Sequence, residues 1–214
     1  MMRIRSWWMT GLALLTGLTC GCCALSPPVN YYTLSAIAAP AIGVDDQNVA
    51  RPLMIGIQPV DLPGYINRLQ MVTRSGANRV SVSGLNRWAD YPDRMVQQTI
   101  VENLQRLMPH ARVLNSPWPS AIKPNIILSV QFFELIGTAD GQVSLGAVWN
   151  LSGGEAVDGA EPHRTVLVEP MAGHGFDALA AAHSRVIGSL CQSIAEAVKK
   201  DGLVKSPRSR LANP

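Results

Sequence analysis

Apolar positions recur at helical spacing in two stretches of the chain. Val96, Ile100, Leu104, Leu107 and Met108 follow Asp93, which suits an N-cap or a first-turn acid, and Pro109 stops the run. Leu179, His183, Val186, Ile187, Leu190, Ile194 and Val198 make a longer stripe over residues 176–200, with Lys199-Lys200 suited to a helix C-terminus. Between the stripes the period changes to two. Ile126, Leu128, Val130 and Phe132 share one face of a strand, Asp140-Gly141 makes a turn, and Val143, Leu145, Ala147, Trp149 and Leu151 share one face of the return strand as far as Gly153-Gly154. Residues 70–75 and 79–83 alternate about Gly76 as a hairpin would, and residues 30–34 and 165–169 are β-prone. Residues 53–60 read as a strand at which Pro59 and Pro63 mark a sheet edge or the strand's end. Residues 36–50, rich in Ala and small polar side chains, read as a linker or mobile loop. The expectation is a single-domain α+β sandwich: a mostly antiparallel or mixed β-sheet with two main helices packed on one face.

The first residues follow a different pattern. Arg3 and Arg5 precede an uncharged run over residues 7–19, the signature of an export leader that is too short to span a bilayer comfortably. Cys20, Cys22 and Cys23 come next, and the segment resembles a bacterial lipobox, in which a small residue precedes a Cys that is lipidated and becomes the new N-terminus. Gly21 before Cys22 fits that requirement better than Thr19 before Cys20 or Cys22 before Cys23, so Cys22 is the expected lipidation site. Attached acyl chains, at about 0.8 kcal/mol per buried CH₂, give stable anchoring when more than one is present. The expected organisation is a leader over residues 1–21, a lipidated spacer over 22–30, one domain over 31–205 and a disordered tail over 206–214.

Composition narrows the function classes. Charged residues are 15% of the chain, below the roughly 25% usual for globular domains, while the 47% hydrophobic share is ordinary and supports a packed core. The net charge is +3, and removal of Arg3 and Arg5 with the leader brings the chain close to neutral, which disfavours nucleic acid as a partner. His110, His163, His174 and His183 share no metal-ligand spacing, so no metal and no cofactor is expected. His183 lies on an apolar helix face and reads as a core histidine, and Cys191 reads as a small buried residue lacking a partner base. Gly153-Gly154 and the glycines at 173 and 175 have no phosphate-loop context, and no catalytic residue is identified.

Residues 61–93 remain the least explained by sheet building. Arg68, Arg74, Arg79 and Arg87, with Arg94 just beyond, alternate with Tyr65, Trp88 and Tyr91. Arg, Tyr and Trp are favoured anchors of protein interfaces, so Tyr65, Arg74 and Trp88 are candidate partner-binding residues; solvated strand edges and packing aromatics are the plainer reading.

The lipobox, Asn30-Tyr31-Tyr32-Thr33-Leu34, the run over residues 62–74 and the run over residues 86–109 together resemble the ABC-type transport auxiliary lipoproteins, and within them the paraquat-inducible protein C (PqiC) group. The resemblance covers nearly the whole chain after the leader; the C-terminal helix agrees in character only. It implies a non-enzymatic subunit of a transenvelope lipid-transport system. In such a system an inner-membrane component and an MCE-domain protein form a periplasm-spanning tunnel for phospholipid or a similar cargo. The lipoprotein, anchored in the outer membrane on its periplasmic face, docks at the tunnel's distal end as a ring-like homo-oligomer. Cys23 follows Cys22 where inner-membrane retention is associated with Asp, which fits that location. An envelope assembly lipoprotein without a transport role and a lipid-tethered periplasmic hydrolase are the competing readings.

Overall fold

The computed structural model describes residues 27–37, 53–153 and 161–200. In chain order the elements are β1 (Asn30–Tyr32), β2 (Met54–Ile57), β3 (Gln70–Gly76), β4 (Arg79–Trp88), α1 (Pro92–Leu107), β5 (Arg112–Asn115), β6 (Ile126–Thr138), β7 (Gln142–Ser152), β8 (His163–Pro170) and α2 (Gly175–Lys200). The leader, the three clustered cysteines, the greater part of the expected linker and the C-terminal tail fall outside the described residues.

The strands form one curled mixed sheet, a half-barrel, with two helices packed on it. Its longest ladders are the expected antiparallel ones, β3 with β4, β6 with β7 and β7 with β8. Shorter parallel ladders join them: β1 with β4, β2 with β5 and with β6, and β3 with β6. β6 therefore pairs along one edge with β7, while its other edge is shared in succession by β2 and β3. β2 lies between β5 and β6, so it is an interior strand, and Pro59 marks its end and not a sheet edge. Strand β5, which the sequence pattern does not announce, occupies the position beyond it.

The two periodic strand faces become the core. Leu128, Phe132, Leu145, Ala147 and Leu151 are buried. A bulge between Phe132 and Glu134 shifts the register so that Leu135 comes opposite Leu145. By adding one residue to one strand, such a bulge also bends it and strengthens the local twist. Gly141, at φ +78°, takes the left-handed conformation needed where β6 turns into β7.

Helix α1 starts at Pro92, where the absent N–H costs nothing, with Tyr91 as the extended N-cap and Asp93 in the first turn. The last turn ends at Leu107, before Pro109. α1 packs on β5 and on α2, and α2 packs on β6, β7 and β8. Every residue of the long apolar stripe of α2, His183 included, is buried. Arg185 fastens α2 to β8, donating to the Glu169 carboxylate at 2.6 Å and to the Pro170 carbonyl at 2.7 Å.

A strap over residues 30–37 crosses both helices. After β1, the Ser35 amide donates to Ser184 Oγ on α2 and the Ile37 amide to Asn103 Oδ1 on α1. Arg106 donates to the Ala36 carbonyl. Ile37 packs directly over Gly188, where an added Cβ would lie 2.3 Å from its Cδ1. The start of the expected linker is thus pinned to the domain, a correction that follows from these buried acceptors.

Leu104 and Leu190 are fully buried on the two helices. Leu104→Ala or Leu190→Ala should each lower unfolding free energy by about 2–5 kcal/mol in urea titrations, and a loss below about 0.5 kcal/mol would show that these stripes do not form the core.

Candidate docking surface

The three residues singled out from the sequence do not converge. Trp88 is only 7% exposed. β4 carries it under the helices, where its ring meets His183 edge-on, with centroids 5.4 Å apart. Its candidacy as a partner anchor is therefore corrected to a place in the core. Arg74 is half-exposed in the distal half of β3, and its guanidinium bridges Glu134 of β6 at 3.1 Å. Tyr65 is 42% exposed at the opposite end of the same hairpin, in the connection that leads into β3.

The chain holds Tyr65 in place by local geometry. The Ile66 and Asn67 amides both donate to the Pro63 carbonyl, closing a turn, while Leu62 and Ile66 enter the core. Asn67 Oδ1 then accepts the Asp93 amide at 3.3 Å, satisfying one of the unpaired donors at the start of α1. This bond joins the Tyr65 turn to the Tyr91 cap, each tyrosine lying two residues from a bonded partner. Tyr91 is also exposed, and Arg94 lies over its ring at 5.9 Å while bridging Asp90 at 3.7 Å. Two exposed tyrosines and an arginine thus frame the α1 N-terminus. Their sequence signal was the Arg-aromatic alternation; what it could not distinguish was which aromatic is buried.

A second exposed group lies on the sheet. Val80, Val82 and Leu85 of β4 face solvent, as do Val166 and Val168 of β8. Apart from its three-residue pairing with β1, β4 has no strand on its outer edge among the described residues. The aliphatics of β4 were read from the sequence only as one face of a hairpin, since alternation alone does not say whether a face is covered.

The titratable interior is structural. His183 Nδ1–H donates to the Leu179 carbonyl at 2.8 Å. Burial pushes its pKa from 6.5 down to about 4, against a smaller upward pull from that hydrogen bond. The ring is accordingly neutral near pH 7. Burial pushes the Cys191 thiol up, which leaves it unreactive. Among the described residues, no three His, Cys, Asp or Glu side chains come together as a metal site, and no helix is long and apolar enough to cross a membrane.

Trp88→Ala should cost about 3–5 kcal/mol of stability, measured by chemical unfolding; a folded domain of unchanged stability would return Trp88 to the surface. A separate expectation concerns pH. Below about pH 6.5 the unfolded chain protonates His183 while the folded chain does not, so stability falls until pH reaches about 4. The loss from this group is on the order of 3 kcal/mol. His183→Phe should flatten this limb relative to wild type; identical slopes from pH 7 to 4 would exclude the neutral buried imidazole.

Comparison with known proteins bears on the fold and the family. The intermembrane transport lipoprotein PqiC of Escherichia coli (strain K12) is 24% identical over 198 residues, covering 92% of this chain and 99% of that protein. Its Shigella flexneri counterpart matches to the same extent. Among solved structures, a protein from Xanthomonas campestris shares the fold with a TM-score of 0.64 at 12% identity, over 83% of this chain and 98% of the other. Another crystal structure, of an uncharacterized protein, does so with a TM-score of 0.65 at 19% identity, over 80% and 99%. The family of ABC-type transport auxiliary lipoprotein components, which is a transport family and not an enzyme family, matches residues 32–195, and this chain belongs to it.

Proposed function

We propose that this protein is an outer-membrane lipoprotein, held through Cys22 on the periplasmic face. In this reading it serves as the non-enzymatic accessory subunit of an MCE-type system that moves phospholipid between membranes and maintains envelope integrity. The observation that carries this reading is the match to an intermembrane transport lipoprotein along 99% of that protein's length. The Gly21-Cys22 junction supplies the anchor.

The docking contacts follow from exposure. Tyr65, Tyr91 and Arg94 offer aromatic area and a planar cation on a rigid support, the residue types that dominate interface energetics. A nearly balanced overall charge supports docking by shape and apolar contact more than by long-range attraction. Tyr65, Tyr91 and Arg94 face the MCE-domain tunnel protein, whose inner-membrane component completes the system, and the lipoprotein assembles as a ring-like homo-oligomer. Arg74, paired to Glu134, serves to rigidify the hairpin.

The test has two arms. Intact mass of the membrane form should show a chain starting at Cys22 with added acyl mass, and Cys22→Ala should abolish processing; a mature start at Ala24 or later without acyl mass rejects the anchor. Tyr65→Ala and Tyr91→Ala, checked for native circular dichroism, should weaken pull-down of an MCE-domain tunnel protein from the same organism by roughly 2 kcal/mol at a hot spot. Wild-type protein that captures no such partner and stays monomeric would reject the transport reading.

A further inference from the structure

The register of β1 fixes the direction from which the anchor arrives. β1 runs parallel to β4, with Asn30 opposite Asn86, Tyr31 opposite Arg87 and Tyr32 opposite Trp88. β4 begins at the tip of the β3–β4 hairpin and runs towards the core. A chain that enters β1 at Asn30 therefore comes from the side of the hairpin tip. Eight peptide steps lead from Cys22 to Asn30. Fully extended, they reach at most about 29 Å. The span of β4 from Arg79 to Asn86 is comparable, about 24 Å at the usual strand rise. An acyl anchor at Cys22 thus cannot lie much farther from Asn30 than the tip does, and the tip is within its reach.

The tip has the composition for that position. Residues 62–89 hold Arg68, Arg74, Arg79 and Arg87 and neither Asp nor Glu. The Arg74 charge is taken up by Glu134. Arg79, by contrast, only donates to Ser75 Oγ and the Ser75 carbonyl, and no carboxylate bridges it among the described residues. Val80 and Val82 are exposed beside it, at 42% and 46%. They are aligned with Arg74 and Val72 across the ladder, so they share one face. Val72, opposite Val82, and Met71 behind it are buried, so the exposed tip begins at Val82 and is held directly to the core.

We infer that the β3–β4 tip docks on the bilayer surface that holds the anchor. Arg79 lies against lipid phosphates, and Val80 and Val82 enter the boundary between headgroups and acyl chains. This inference rests on the lipidation of Cys22. It sets the orientation of the domain: tip towards the membrane, and the Tyr65–Tyr91 end, at the other end of the hairpin, towards the periplasm.

The test uses the full lipidated chain in vesicles of phosphatidylethanolamine and phosphatidylglycerol. In a Cys23→Ser background the buried, unreactive Cys191 needs no replacement. Val82→Cys and, as a control on β8, Val166→Cys each receive an environment-sensitive nitrobenzoxadiazole label, and phospholipid bearing a nitroxide on its acyl chain is the quencher. Quenching at position 82 should exceed that at position 166 several-fold, and Arg79→Glu should reduce it. Equal quenching at both positions overturns the inference even when the protein is acylated and vesicle-bound. So does a label at 82 that is shielded without quenching and exposed on dilution, which would mean that a second copy covers the tip. Protein that lacks acyl mass and fails to bind vesicles rejects the anchor itself, a separately readable failure that removes the premise of the inference.

Discussion

The pairing of β6 on both edges is the constraint on which the architecture depends. One thirteen-residue strand holds β7 along one side and divides its other side between β2 and β3. Between the stretches that serve these two partners, the bulge at Phe133 bends β6 and strengthens its twist. On the N-terminal side of the bulge lies the β2–β5 pair, against which α1 is laid; on the C-terminal side lies the β3–β4 hairpin, which projects from the body. The curl of the sheet, the cover provided by the helices and the exposure of the hairpin tip are consequences of that division.

The buried polar side chains form a clasp. Thr99, Asn103 and Ser184 are buried on α1 and α2, and each donates back to a carbonyl one turn earlier in its own helix. Such back-bonding costs some helix stability and would be hard to explain if it were the only role of these groups. Two of the three also accept: Asn103 Oδ1 receives the Ile37 amide and Ser184 Oγ the Ser35 amide of the strap. An irregular segment can lie across a helical layer only where its backbone donors are satisfied, and here the helices present acceptors at two successive points. Asn103 and Ser184 thus hold the N-terminal segment to the domain.

The elements legible in the sequence were those whose period is long enough to count. Both helices and the β6–β7 ladder follow directly from apolar spacing, because each buries one continuous face, and the β3–β4 hairpin follows from alternation about Gly76. β5 was not legible: two exposed residues flanking two half-buried ones carry no period, and the strand is defined by its parallel pairing with β2. The interior position of β2 was hidden for a related reason, since parallel pairing joins segments far apart in the chain and leaves no local turn signal. Trp88 shows the limit most clearly. Composition marked its segment as a surface rich in Arg and aromatics, but β4 is exposed along most of its length and buried only at the end that carries Trp88. Tyr65 and Arg74, drawn from the same composition, were separated by the length of β3. Composition identifies the residue types that dock; the strand's path decides which of them face solvent.

The strap also determines how an anchored domain would stand. A tether attached to a frayed terminus would leave the domain free to turn, because a few peptide units impose no direction. Here the chain coming from Cys22 first passes through a ladder with β4, reinforced by the Tyr32 hydroxyl donating to Asn86 Oδ1 at 3.0 Å, and is then clasped to both helices. A pull on the N-terminus is shared among the sheet, α1 and α2, so it acts on the folded body as a whole. The parallel register adds a direction to that attachment, since the chain enters β1 from the side of the hairpin tip, the end that the proposed anchor would hold at the membrane. In the function proposed above, where the subunit meets a partner across the periplasm, a fixed orientation would lower the entropy lost on docking, with the exposed Tyr65 and Tyr91 held on the folded body before contact.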